Sequence, residues 1–91
     1  MITDTITQKI GEALKAHDEI RLSTLRLLSS AFNYEFIAKQ HKLFEDEELV
    51  VVRREAKKRK EAIEAYEKAG YKDRADKEAK ELSILQEYLP P

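Results

Sequence analysis

The chain has 91 residues, 38% of them charged and 42% hydrophobic, with two glycines, two prolines, no tryptophan and no cysteine. That composition suits one helix-rich globular domain and not a disordered or β-rich chain, and the missing cysteines exclude a disulfide framework, a thiolate metal site and a cysteine nucleophile. The formal net charge of −1 conceals a segregation: Lys/Arg and Asp/Glu number six against nine in residues 1–52, six against one in 53–60 and five against eight in 61–91, which excludes a basic footprint over the whole molecule but leaves a local one open.

Four helices are expected, placed by apolar period and by capping residues. The first runs from about Asp4 to Ala16, with Ile6, Ile10, Ala13 and Leu14 on one stripe. Asp18 is a good N-cap for the second, about Glu19 to Gln40, because its side-chain oxygen can accept from a free N–H of the first turn. Here Leu22, Leu25, Leu28, Phe32 and Phe36 form one broad face and Ile20, Leu27, Ala31 and Tyr34 a second. With two apolar faces, helix two is expected at the centre of a compact all-α four-helix domain, covered on two sides.

Glu45 or Asp46 opens the third helix, about Asp46 to Ala69, and the acidic cluster Glu45, Asp46, Glu47 and Glu48 sits where the helix dipole favours it. Gly70 closes this helix as a C-cap. Its inward stripe is Leu49, Val52, Ala56, Ile63 and Tyr66. Asp73 is expected to cap the fourth helix, about Arg74 to Tyr88, which turns Ala75, Ala79, Leu82 and Leu85 inward. Glu64/Lys68, Asp73/Lys77 and Asp76/Lys80 are spaced i,i+4 with the acid first, a spacing that adds a few tenths of a kcal/mol per pair. Leu89, Pro90 and Pro91 form an extended, helix-terminating end.

No apolar run approaches the roughly 20 residues that a membrane-spanning helix needs. The first residues lack the basic-then-apolar order of a signal peptide. A cytoplasmic location away from the membrane is the expectation.

Catalytic and metal-binding constellations are sought first among the histidines. His17 and His41 each fall in a helix break, outside any HExxH or triad-like grouping, and read as solvent-exposed loop residues. The acidic cluster lacks the alternating spacing and glycine of a calcium loop. No serine lies in GxSxG, and glycines at 11 and 70 alone cannot make a phosphate loop. No catalytic residue, no metal site and no cofactor is assigned.

The block RREAKKRKE is the strongest chemical feature. Arg53, Arg54, Lys57, Lys58 and Lys60 fall within an arc of about 160° on a helical wheel, opposite the apolar stripe, and so present one positive strip. Such a strip can neutralise phosphates of a nucleic acid; a solvated helix face balanced by flanking glutamates is the plainer alternative, and no aromatics are interleaved to stack bases. Arg59 instead projects into the apolar arc between Val52, Ile63 and Tyr66, where an unpaired charge is costly. A carboxylate partner is therefore expected, with Glu35 the first candidate, in a structural ion pair. Ile84 and Tyr88 lie on the expected back of the fourth helix and form a candidate docking surface for a protein partner.

Taken in order, several segments resemble one family. His17-Asp18 through Arg21-Leu22-Ser23 to Leu25-Arg26, then Arg54-Glu55 through Lys57, Arg59-Lys60 and Tyr66-Glu67-Lys68-Ala69-Gly70, and finally Lys77-Glu78 through Leu85 to Tyr88-Leu89-Pro90, resemble the N-terminal region of the GatB/YqeY family. The resemblance implies a compact helical N-terminal domain over residues 1–91, followed in the family by a smaller helical C-terminal domain that this chain lacks. It also implies similarity to the tail of the GatB subunit of the glutamine-dependent tRNA amidotransferase, and through it an association with carbon–nitrogen ligation with glutamine as amido donor. The chain contains none of the groups that such ligation needs.

The sequence therefore reads as a non-catalytic tRNA-binding or accessory module, with tRNA, an amidotransferase or an aminoacyl-tRNA complex as partner and Arg53, Arg54, Lys57, Lys58 and Lys60 on phosphates. The alternative is a protein-interaction module docking through helix four, on Ile84 and Tyr88, to the family's C-terminal domain or to another protein.

Overall fold

Local capping signals set most of the helix ends. The computed structural model describes residues 1–91 as four helices and no strand: α1 (Ile2–Lys15), α2 (Glu19–Lys39), α3 (Glu45–Ala69) and α4 (Lys72–Gln86). Asp18 caps α2, its Oδ1 accepting from the Arg21 N–H at 3.1 Å. Gly70 ends α3 at φ 82°, in the left-handed region where a Cβ is strained. His17 and Gln40 take left-handed φ values of 55° and 59° without being glycine and break the chain after α1 and α2.

Two starts differ from expectation. The first helix begins at Ile2, before Asp4, because the cap comes from another helix: the Glu48 carboxylate accepts from the Ile2 and Thr3 N–H groups at 3.3 and 2.8 Å and from the Thr3 hydroxyl. The fourth begins at Lys72 after Tyr71, so Asp73 lies inside the first turn instead of capping it.

The core joins Ile6 of α1, Leu28 and Phe32 of α2, Leu43 of the loop, Val51 and Val52 of α3, and Leu85 of α4, with Ile2, Ile10, Ala31, Tyr88 and Leu89 packed around it. Helix α2 touches each of the other three helices, as does α3, whereas α1 and α4 are not neighbours. The closest partnerships are α3 with α4 and α1 with α2. Each is an antiparallel hairpin joined by a short turn.

Four inward assignments change, the first at Leu14 of α1, which is 55% exposed although the expected apolar stripe includes it. Val51 is buried at 1% exposure, although the α3 stripe did not include it. Helix α4 is rotated so that Glu81 and Ile84 are buried beside Leu85, while Ala79 is exposed. Helix α2 buries Thr24, Leu25, Leu28 and Phe32 but leaves Phe36 of its first face exposed, and on its second face Ile20 and Ala31 are half-buried while Leu27 and Tyr34 stand open, so that face is only partly covered. The three i,i+4 pairs expected on α3 and α4 form no ion pair; contacts three residues apart close instead at Lys9–Glu12 (3.7 Å) and Lys58–Glu55 (3.1 Å). No helix is long and apolar enough to cross a membrane.

Candidate functional site

Helix α3 has 25 residues and so is roughly 37 Å long. Only its first half enters the core, through Glu48, Val51, Val52 and Ala56. Beyond Ala56 the inward residues Arg59, Ile63 and Tyr66 are half-buried. The opposite face is solvated along its length, which leaves the basic residues in the open. Arg53, Arg54, Lys57, Lys58 and Lys60 are all exposed.

Their pairing divides them. Arg54 donates to Glu35 of α2 across 3.0 Å, and Lys58 meets Glu55 at 3.1 Å. Arg53, Lys57 and Lys60 have no carboxylate within 4.0 Å. At intervals of four and three residues these three lie on one helix face over roughly 10 Å of axis. They are the cations most available to an external anion, since no internal partner must be displaced.

Arg59 does find carboxylates, but Glu35 is not among them. Its Nη1 lies 3.1 Å from Glu81 Oε2 and 3.6 Å from Glu78 Oε2, both on α4. Glu35 is held by Arg54 instead. The reason is hairpin geometry: Arg59 and Glu81 each stand eleven positions from Gly70, at the centre of the α3–α4 turn, and therefore come opposite each other. Glu81 is 6% exposed, so the pair is largely desolvated. Glu78 has its carboxyl pushed above the ordinary carboxylate range, first by burial and then by its hydrogen bond with Glu81, against the pull of Arg59. The Arg59 Nε and Glu78 Oε2 atoms are buried without a hydrogen-bond partner. This cluster has the chemistry of a structural clamp between two helices.

The docking surface expected on helix four is not free. Ile84 is 7% exposed and Tyr88 packs against the core. Turning Glu81 inward toward Arg59 carries Ile84, three residues on, into the same buried face. Of the large apolar side chains left outside, α2 carries several, with Leu27 52%, Tyr34 73% and Ile37 64% exposed, beside Leu14 of α1 and Val50 of α3. Sequence reasoning missed this because a helix wheel shows that a face is apolar but not whether a neighbour covers it.

Both histidines are exposed. His41 stacks on Phe44 with ring centroids 4.9 Å apart and lies 3.7 Å from Glu47, in the turn before α3. No three His, Asp or Glu side chains are grouped so as to hold a metal ion. A crevice of about 360 Å³ between α1 and α2 is lined in part by Asp4 and Lys42, whose ion pair of 3.0 Å holds the Asp4 carboxyl below its ordinary range.

The model of the YqeY-like protein family matches residues 3–91 of this sequence. The chain belongs to that family. It is also similar to an uncharacterized protein of Schizosaccharomyces pombe, with 31% identity over 85 residues that cover 93% of this chain and 69% of the relative. The family match spans all four helices, and so includes both the basic face of α3 and the Arg59 clamp.

Proposed function

We propose that this YqeY-like domain is a non-catalytic, cytoplasmic RNA-binding module that holds tRNA by its phosphates on the outer face of α3. The observation that carries the reading is the set Arg53, Lys57 and Lys60: three exposed cations on one face, none engaged by an acid of the protein. Arg54 and Lys58 flank them and add charge once their partners Glu35 and Glu55 yield. Phosphate contacts of this kind position RNA without reading its sequence. The resemblance of the sequence to the GatB/YqeY family, which implies a likeness to the GatB tail, favours tRNA as the nucleic acid and an amidotransferase or aminoacyl-tRNA complex as the setting, with ligation performed by other subunits. No cofactor enters this reading.

Fluorescence anisotropy of labelled tRNA, titrated with the protein at two salt concentrations, tests it. Binding should weaken with salt at a log–log slope of about 2 to 3, as expected for three phosphate contacts. Arg53→Glu, Lys57→Glu and Lys60→Glu combined should abolish binding while leaving the helical circular dichroism and the melting transition close to wild type, because all three side chains are exposed. Undiminished binding by the folded triple variant, or no binding by the wild type at low salt, would remove this reading.

A further inference from the structure

The face of α2 beside the basic strip carries an aromatic residue that the packing does not use. Tyr34 is 73% exposed, and Leu27, two turns earlier on the same stripe, is 52% exposed. The half-buried Ala31 lies between them, one turn from Leu27, and Ala38 continues the stripe beyond Tyr34. Two contacts place this stripe next to α3. Glu35, the residue after Tyr34, binds Arg54 at 3.0 Å, and Leu27 lines a small crevice together with Glu55, whose carboxylate holds Lys58 at 3.1 Å. The outer surface across the α2–α3 seam is thus an apolar strip with one exposed ring, bordered along one side by Arg54 and Lys58.

Tyr34 has no folding task that explains this placement. It belongs neither to the core nor to the side chains packed around it, and its hydroxyl makes no hydrogen bond within the protein. A tyrosine held on a rigid helix loses little freedom when a flat partner stacks on it. Every nucleobase offers a π-face to such a ring, and stacking combined with backbone neutralisation is how proteins hold unpaired strands. Duplex RNA keeps its bases stacked on one another and offers only shape, hydroxyls and phosphates.

We infer that the site recognises an unpaired stretch of RNA, with Tyr34 stacking on one base while the cations of α3 hold the neighbouring phosphates. This rests on the RNA-binding reading above and narrows it to a substrate class, namely single-stranded loops or ends in preference to helical stems. Arg54 has a second task here. In the free protein its salt bridge to Glu35 sets the spacing between the ring on α2 and the phosphate-holding face of α3 before RNA arrives.

The test compares a labelled 12-nucleotide single-stranded RNA with a 12-base-pair RNA duplex by anisotropy, at one salt concentration. Wild type should prefer the single strand. Tyr34→Ala should lose about tenfold in affinity for it, keep its duplex affinity and keep its salt slope; Tyr34→Phe should retain the single-strand affinity. Since the chain has no tryptophan, Tyr34→Trp supplies a unique fluorophore whose emission should be quenched by the single strand and not by the duplex. Strip-dependent RNA binding that Tyr34→Ala leaves unchanged, or weakens equally for both RNAs, would overturn this inference while sparing the phosphate-binding reading. Absence of RNA binding by the wild type would overturn both.

Discussion

Glu48 shows how far one side chain can depart from its neighbours in sequence. Glu45, Asp46, Glu47 and Glu48 read as one acidic cluster favoured by the dipole at a helix start, yet Glu48 is 0% exposed and accepts from the N–H groups of Ile2 and Thr3 and from the Thr3 hydroxyl. Glu47 caps its own helix by accepting from the Phe44 N–H at 2.9 Å, and Glu45 and Asp46 stay exposed. The dipole argument placed the charges correctly, but the partner of Glu48 lies 45 residues away and no local pattern marks it. Glu48→Ala should therefore free the first N–H groups of α1 beside a buried hole and cost about 2–3 kcal/mol. In a domain of this size that lowers Tm by on the order of 10 °C or more. Glu45→Gln should stay within about 0.5 kcal/mol, and equal losses for the two would show that burial of Glu48 is not what matters.

The second pair of helices carries its own logic. An antiparallel hairpin is nearly symmetric about its turn, so Gly70 tells which residue of α4 meets Arg59, and the answer is Glu81. The expectation of a carboxylate partner was right because a half-buried guanidinium needs one. The choice of Glu35 failed because a helical wheel contains no information on which helix lies opposite. Glu35 is held instead by Arg54 at the α2–α3 seam, a pairing that turn symmetry does not give, since Glu35 stands closer to the intervening turn than Arg54 does. Arg59→Ala should leave Glu81, 6% exposed, without its cation and cost about 2–3 kcal/mol in urea denaturation. Arg59→Met combined with Glu81→Met should recover most of that loss, because two apolar chains of similar volume need no desolvation of charge. Additive losses in the double variant would mean that the two residues act separately, contrary to the 3.1 Å contact.

At the scale of the molecule, helix number, order and most ends were legible because caps and turns are local. The rotation of each helix about its own axis was not, since it is settled by neighbours distant in sequence. That rotation decided the site: it buried Ile84, opened Tyr34 and left the α3 strip in solvent. The structure measures 42 × 29 × 25 Å, longer than it is wide, and the backbones of α1 and α4 do not run side by side. The C-terminal end of α4 is tied instead to the start of α2. Arg21 makes two hydrogen bonds to Glu87, of 3.0 and 2.8 Å, while also facing Asp18 at 3.5 Å. The hydrogen bond from Arg21 holds the Glu87 carboxyl below its ordinary range, against the opposing effect of burial. A carboxylate favoured in the folded state stabilises fully above its unfolded pKa, and that contribution is lost as pH falls through the folded pKa. Glu87 is 50% exposed, so solvent screening keeps the effect under about 1 kcal/mol. Glu87→Gln should accordingly be slightly less stable than wild type at pH 7. In urea titrations across a pH series, the gap should close as the pH drops through the acid range, and added salt at pH 7 should narrow it. A gap that persists undiminished below the folded pKa would assign the role of Glu87 to packing instead of charge, and the tie between α2 and α4 would then rest on the Tyr88 and Leu89 contacts with the core.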